Sequence, residues 1–148
     1  MRITFVLLFC IISLAATAQL DPVTWSYKAK KVNATEYDLI LTADVDNGWY
    51  IYSQFLESDE GPIATSFTFE ENENYELVGE AKEQGNKKEG FDEIFAMKLV
   101  KYSGKVSFTQ RIKVKEKTDK VTGNLEFMTC DDEKCLPPKM LEFAIVLK

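Results

Sequence analysis

The chain has 148 residues, a formal net charge of −6 and no histidine. That length is enough for one domain with a real core. The missing histidine excludes Ser-His-Asp and Cys-His nucleophile systems and the histidine-containing zinc sites. The acidic balance does not suit nucleic acid or an anionic membrane surface as partner.

The first segment has the form of a secretory signal. Arg2 supplies a positive start, Ile3 to Leu14 is almost wholly apolar, and Ala16-Thr17-Ala18 is an A-x-A cleavage site. The expectation is a signal peptide over residues 1–18 and a mature domain over residues 19–148, beginning at Gln19. The apolar run is shorter than the roughly 18 residues a spanning helix needs, which argues against a membrane anchor. Cys10 lies inside the run without small residues before it, so lipid attachment there is not expected. Cleavage would remove one base and one cysteine. Export would put the remaining two cysteines in an oxidising compartment, where a disulfide is the default. No later apolar segment is long enough for a spanning helix, so no membrane insertion is expected after cleavage.

Beyond residue 22 the pattern is that of strands. Thr24 to Lys30 alternates, with Trp25 and Tyr27 on one face, and Tyr37 to Val45 alternates in part. Asp46-Asn47-Gly48 is a turn signal before the aromatic run Trp49 to Phe55. Gly61-Pro62 breaks the chain again. Thr65 to Glu70 and Tyr75 to Gly79 read as short strands, and Gly85 to Gly90 as a polar, basic loop. Ile94 to Tyr102, Val106 to Lys115, Asn124 to Thr129 and Met140 to Leu147 complete the set. Eight or nine short strands with frequent turns and no convincing helix predict an all-β, immunoglobulin-like antiparallel β-sandwich, with a barrel as the rival.

Two small motifs carry little. Asn33-Ala34-Thr35 matches a glycosylation sequon, a pattern common by chance. Asp44-Val45-Asp46-Asn47-Gly48 hints at a calcium loop, but its glycine comes one place early and no bidentate Glu follows at the right distance. A hairpin turn is the expected reading there.

The chemistry concentrates in Cys130-Asp131-Asp132-Glu133-Lys134-Cys135-Leu136-Pro137-Pro138. Two cysteines facing each other across an antiparallel pair lie within disulfide range. A loop this short gives only about 2 kcal/mol in the chain-entropy model, against about 4.7 for a 100-residue loop. A pair placed at a tip is better suited to being opened and closed than to bracing the fold. Pro137 and Pro138 offer no N–H and stiffen the exit from Cys135. Asp131, Asp132 and Glu133 disfavour a thiolate and are expected to raise the cysteine pKa. A metal site would have only two soft ligands here, so no metal is expected. An inert structural bridge remains the alternative.

These residues resemble a known family. Val121-Thr122-Gly123-Asn124-Leu125-Glu126-Phe127-Met128-Thr129-Cys130 and Cys135-Leu136-Pro137-Pro138 look like the active-site region of the N-terminal periplasmic domain of DsbD, a bacterial thiol:disulfide interchange protein. The aromatic run Gly48 to Ser53 and the Gly61-Pro62 break look like that domain too. The resemblance implies an immunoglobulin-like fold and a redox-active pair with no cofactor. Cys135 would form the mixed disulfide with partners and Cys130 would resolve it. Tyr50 and Tyr52 match the family's paired tyrosines near the disulfide, and Leu136 and Pro137 complete the partner surface. The family also has a cap loop whose Phe shields the disulfide. The corresponding stretch is Gln84 to Asp92, where Lys88 takes the aligned place and Phe91 is the nearest aromatic. The cysteines here have four residues between them, where the best-known member has five.

The resulting expectation is a monomeric periplasmic shuttle. It would pass reducing equivalents from a thioredoxin-like donor, or a DsbD-type membrane protein, to thioredoxin-fold acceptors, including those of cytochrome c maturation. The rivals are a noncatalytic immunoglobulin-like binding module with a structural disulfide, and an accessory subunit of an assembly system.

Overall fold

In the computed structural model, residues 20–58, 60–115 and 118–148 are described. The signal-like segment, with Cys10 and the cleavage point before Gln19, lies outside the described residues. Among the described residues the regular structure is entirely β, in the order β1 (Val23–Lys31), β2 (Glu36–Val45), β3 (Tyr50–Tyr52), β4 (Ser66–Phe69), β5 (Tyr75–Asp92), β6 (Met97–Val114), β7 (Lys120–Phe127), β8 (Thr129–Cys130) and β9 (Lys139–Val146). One sheet runs β1-β2-β6-β3-β8, with β5 on the other edge of β6; the second runs β4-β7-β9. All pairings are antiparallel. This is the expected immunoglobulin-like antiparallel sandwich.

Alternation drives the strands that cover the core. β2 buries Leu39, Leu41, Ala43 and Val45, and β7 buries Val121, Leu125 and Phe127. From β9 come Phe143 and Ile145, and from β6 Val106, Phe108 and Ile112. Trp25 sits among them, its ring 5.4 Å from Phe127 and 5.8 Å from Phe108. Each fully buried side chain of this size contributes about 1.5–3 kcal/mol. Gly123 is required by close approach: a Cβ there would stand 2.3 Å from the Thr68 carbonyl oxygen and 2.6 Å from the Phe143 ring. The glycine lets β4 and the Phe143 ring close over β7.

The polar stretch Gly85 to Gly90 is not a loop. It belongs to β5, and its residues pair with Val106 and with Leu99 to Ser103 of β6. Both faces of this part of β5 are exposed, so no inward-facing apolar residue betrays the strand period. Backbone pairing holds it, joined by one side-chain contact in which the Asn86 amide donates to the Ser103 hydroxyl at 2.8 Å. The two short strands expected over Ile94–Tyr102 and Val106–Lys115 are likewise one strand, β6. Register shifts between Val78 and Lys82 and between Gly85 and Asn86 let β5 follow it. At the first shift the buried Gln110 donates its amide to the carbonyls of Val78 and Gly79, at 3.3 and 3.2 Å.

The turn at Asp46–Gly48 does not reverse the chain. β2 and β3 pair with the same edge of β6: Asp44 faces Lys105 and Ile51 faces Tyr102. The intervening residues step out and return, closed by the Trp49 N–H donating to the Asp46 carbonyl at 3.0 Å, with Gly48 at φ 85°. That positive φ explains the glycine. The sequon residue Asn33 closes the β1–β2 turn, its side-chain oxygen accepting from the N–H groups of Thr35 and Glu36 at 3.0 and 2.9 Å.

Candidate active site at the cysteine loop

β8 is only two residues long, but its backbone is held on both edges. Cys130 faces Tyr50 and Thr129 faces Ile51 across β3. The Thr129 hydroxyl donates to the Tyr50 carbonyl at 3.0 Å. On the other edge Cys130 bridges to Cys135, and the Leu136 N–H donates to the Thr129 carbonyl at 2.9 Å. The two cysteines form a disulfide with their Cα atoms 4.0 Å apart.

The four residues between them form a self-braced turn. The Asp131 N–H donates to the Lys134 carbonyl at 2.9 Å. The Asp131 carboxylate accepts from the N–H groups of Glu133 and Lys134, at 2.9 and 2.8 Å. Those two N–H groups hold its pKa below the ordinary carboxylate value. Asp131 therefore serves the turn, while Asp132 and Glu133 stand exposed on it.

The two sulfurs are not equivalent. Cys130 is completely buried, at 0% exposure, whereas Cys135 is partly exposed. The Tyr52 hydroxyl donates to Cys130 Sγ at 3.1 Å. Tyr52 is itself fully buried. Burial first, then neighbouring Tyr50 and Asp92, push its hydroxyl pKa far above the ordinary value, so it remains a proton donor. Tyr50 meets Tyr52 edge-on, with ring centroids 5.7 Å apart, and its hydroxyl donates to the Asp131 carbonyl at 2.8 Å. Thr65 supports the pair from below, donating to the Tyr52 carbonyl at 2.6 Å.

A tight turn at residues 93–96, between β5 and β6, covers this cluster. Asp92 accepts from the N–H groups of Ile94 and Phe95 at 2.9 and 3.1 Å. Its other oxygen meets Lys101 Nζ at 2.5 Å, with the Asp92 side chain 2% exposed. Ala96 adopts a left-handed φ of 54°. The turn lays Phe95 edge-on against Tyr52, at 6.0 Å between centroids. Phe95, Leu56, Met97 and Met128 surround the buried group of Tyr50, Tyr52, Leu99 and Cys130.

The Asp92–Lys101 pair is held as charges in a sheltered place. Burial opposes ionisation of Asp92, but the contacts from Lys101, Phe95 and Ile94 more than offset it and lower its pKa. Burial likewise opposes the charge on Lys101, and its contacts with Asp92 and Tyr50 outweigh that and raise its pKa. Lys101 Nζ also stands 3.9 Å from the centroid of the Tyr50 ring, a cation–π contact. A second polar anchor lies behind, where Glu83 accepts from the Tyr102 hydroxyl at 3.0 Å and the Gln54 N–H at 3.0 Å. Burial, then Glu83, push the Tyr102 hydroxyl up to about 12.

Of the residues singled out from the sequence, the structure brings together Cys130, Cys135, Tyr50 and Tyr52. Leu136 and Pro137 line a cleft beside the loop. Phe91 points elsewhere and is 67% exposed. Lys88, the aligned cap position, sits in the β5–β6 ladder opposite Lys101. The aromatic over the site is Phe95, four residues beyond Phe91. Sequence reasoning missed Asp92, Phe95, Leu99 and Lys101. The available signal was Asp92 two residues before Ile94, the spacing at which an Asp side chain caps a turn.

Fold and site together define an immunoglobulin-like β-sandwich with a loop disulfide at one end, one cysteine buried and one partly exposed. The family model for the N-terminal domain of thiol:disulfide interchange protein DsbD matches residues 17–146, and the chain belongs to that family. Among solved structures it is similar to the reduced DsbD N-terminal domain of Neisseria meningitidis, with 17% identity, 86% of this chain and 90% of that chain covered, and a TM-score of 0.55. It is also similar to the N-terminal periplasmic domain of ScsB from Proteus mirabilis, with 14% identity, 82% and 43% covered, and a TM-score of 0.50. No curated protein matches it in sequence. Family membership and the Cys130–Cys135 disulfide support a role in thiol–disulfide interchange.

Proposed function

We propose that the chain is a periplasmic thiol–disulfide shuttle, exported by cleavage before Gln19 and active as the domain 19–148. Reduced Cys135 attacks a partner disulfide; the partner's S–S bond breaks, one partner thiol leaves, and a mixed disulfide forms on Cys135. Cys130 then attacks the Cys135 sulfur, the second partner thiol leaves, and the Cys130–Cys135 disulfide is restored. Two electrons pass to the partner. Recharging reverses these steps with a thioredoxin-like donor or a DsbD-type membrane protein, and thioredoxin-fold proteins, including those of cytochrome c maturation, are the acceptors. No cofactor enters the exchange.

The observation that carries this reading is the inequality of the two sulfurs. A partner can reach Cys135 but not Cys130, which is buried and held by Tyr52. An inert bridge needs no such asymmetry.

A thiol-trapping redox titration, read by alkylation mass shift, tests it. A midpoint of about −180 to −270 mV, the range of catalytic dithiols, is expected. A midpoint below about −300 mV would make the bridge structural and the chain a binding module. With a shuttle midpoint, a Cys130→Ser variant traps partners on Cys135.

A further inference from the structure

A cleft of about 260 Å³ opens beside the cysteine loop, walled chiefly by Leu20, Pro22, Phe127, Leu136, Pro137 and Pro138. We propose that it is a subsite for a bulky apolar side chain flanking the cysteine of the exchange partner. The inference rests on the thiol–disulfide exchange reading and adds to it a rule for partner choice.

Position is the first argument. Leu136 follows Cys135 directly, so the cleft begins one residue from the reachable sulfur. A mixed disulfide brings the partner's cysteine to that sulfur, and consecutive Cα atoms are only about 3.8 Å apart. A residue next to the partner's cysteine must therefore lie on the surfaces adjoining Cys135.

Chemistry is the second. Six of the wall residues are apolar, the other three being Asp21, Thr129 and Lys139, and neither Pro137 nor Pro138 has an N–H. An apolar side chain entering here buries no backbone donor of the proline wall. The two charges at this cleft, Asp21 and Lys139, pair with each other, whereas the cleft on Trp49 and Tyr50 is lined by Lys88, Lys101, Ser103 and Asp132 as well. An apolar group has reason to choose the first.

The third is that the cleft is already formed. Its outer wall precedes β1 and is pinned twice: Asp21 pairs with Lys139 at 2.5 Å, and the Pro22 carbonyl accepts the Asp46 N–H at 2.8 Å. Leu20 is left 52% exposed. A wall ordered in advance spares a partner the entropy of ordering it. The volume suits one large aliphatic or aromatic side chain.

The test uses the reduced protein and symmetric disulfide dimers of short peptides, each with one cysteine preceded by Trp, Leu, Gly or Asp. Each exchange converts the two protein thiols to the disulfide and one peptide dimer to two peptide thiols. Rates are read by alkylation mass shift and divided by the rate with hydroxyethyl disulfide, which has no flanking side chain. Trp- and Leu-flanked peptides are expected to react at least about tenfold faster than Gly- or Asp-flanked ones. Leu20→Asp, which puts a charge into the cleft, is expected to erase that preference. Equal normalised rates for all four peptides would overturn the subsite and leave the shuttle standing. Failure of every disulfide, hydroxyethyl disulfide included, would overturn the exchange reading and the subsite with it.

Discussion

The Tyr52 hydroxyl stands 3.1 Å from Cys130 Sγ, and both residues are completely buried. Water cannot replace that contact. A sulfur in a disulfide is a weaker acceptor than a thiol or thiolate sulfur, so the hydrogen bond favours the reduced pair over the oxidised pair. Tyr52→Phe removes it while keeping the ring that packs on Tyr50 and Phe95. The disulfide should become harder to reduce, with a midpoint more negative by about 30 mV, the equivalent of about 1.4 kcal/mol for two electrons. An unchanged midpoint would show that the hydroxyl only fills space.

Phe95 and Phe91 lie four residues apart in the chain and differ in surroundings. Phe95 packs against Tyr52 at the edge of the site, and Phe91 is exposed. Phe95→Ala should open a path to the pair and raise the iodoacetamide alkylation rate of reduced Cys135 several-fold. Phe91→Ala should leave that rate alone and change stability by less than about 0.5 kcal/mol. Equal effects would remove Phe95 from its covering role.

The turn that carries Phe95 depends on the Asp92–Lys101 pair, which gives it a defined pH range. Asp92 has a folded pKa below its ordinary value of about 3.9, so its contribution is full above that value. It is lost as pH falls through the lowered folded value. Lys101 has a folded pKa above its ordinary value of about 10.4, so its contribution is full below that and lost as pH rises through the raised one. Stability should therefore be insensitive to this pair at neutral pH and decline in strong acid and strong base. Asp92→Asn should flatten the acid limb in denaturant titrations. Lys101→Met leaves the Asp92 carboxylate buried without its cation, at a cost of about 3 kcal/mol at pH 7. An acid limb as steep in Asp92→Asn as in the parent protein would place the titrating group elsewhere.

What the sequence revealed, and what it hid, divides along the same physical line. Strands with one face on the core, such as β2 and β7, announce themselves by alternation, and the cysteine loop by its spacing and prolines. β5 is exposed on both faces from Lys87 to Gly90, so its period is chemically silent. Gly48 signals a turn at a single residue, but whether the chain reverses there depends on β6, whose edge both β2 and β3 share. Phe95 reaches Tyr52 only because Asp92 caps the turn and Ala96 takes a left-handed φ that no glycine advertises. Lys101 was hidden for a related reason: its partners Asp92 and Tyr50 come from two other strands. Residues placed by local pattern were legible, and residues placed by tertiary pairing were not.

The acidic turn between the cysteines separates into one structural and two free carboxylates. Asp131 accepts two backbone N–H groups and shapes the loop. Asp132 and Glu133 are exposed, and their charges act on the neighbouring thiols through solvent. Each disfavours a neighbouring thiolate by a charge–charge repulsion that salt screens. Asp132→Asn with Glu133→Gln should therefore lower the Cys135 pKa and speed its alkylation at pH 7 several-fold, with the gain shrinking as salt rises. Asp131→Asn behaves differently. It weakens the turn itself, so its effect on alkylation should persist at high salt. If the double variant matches the parent protein at low salt, the acidic residues do not restrain the thiol.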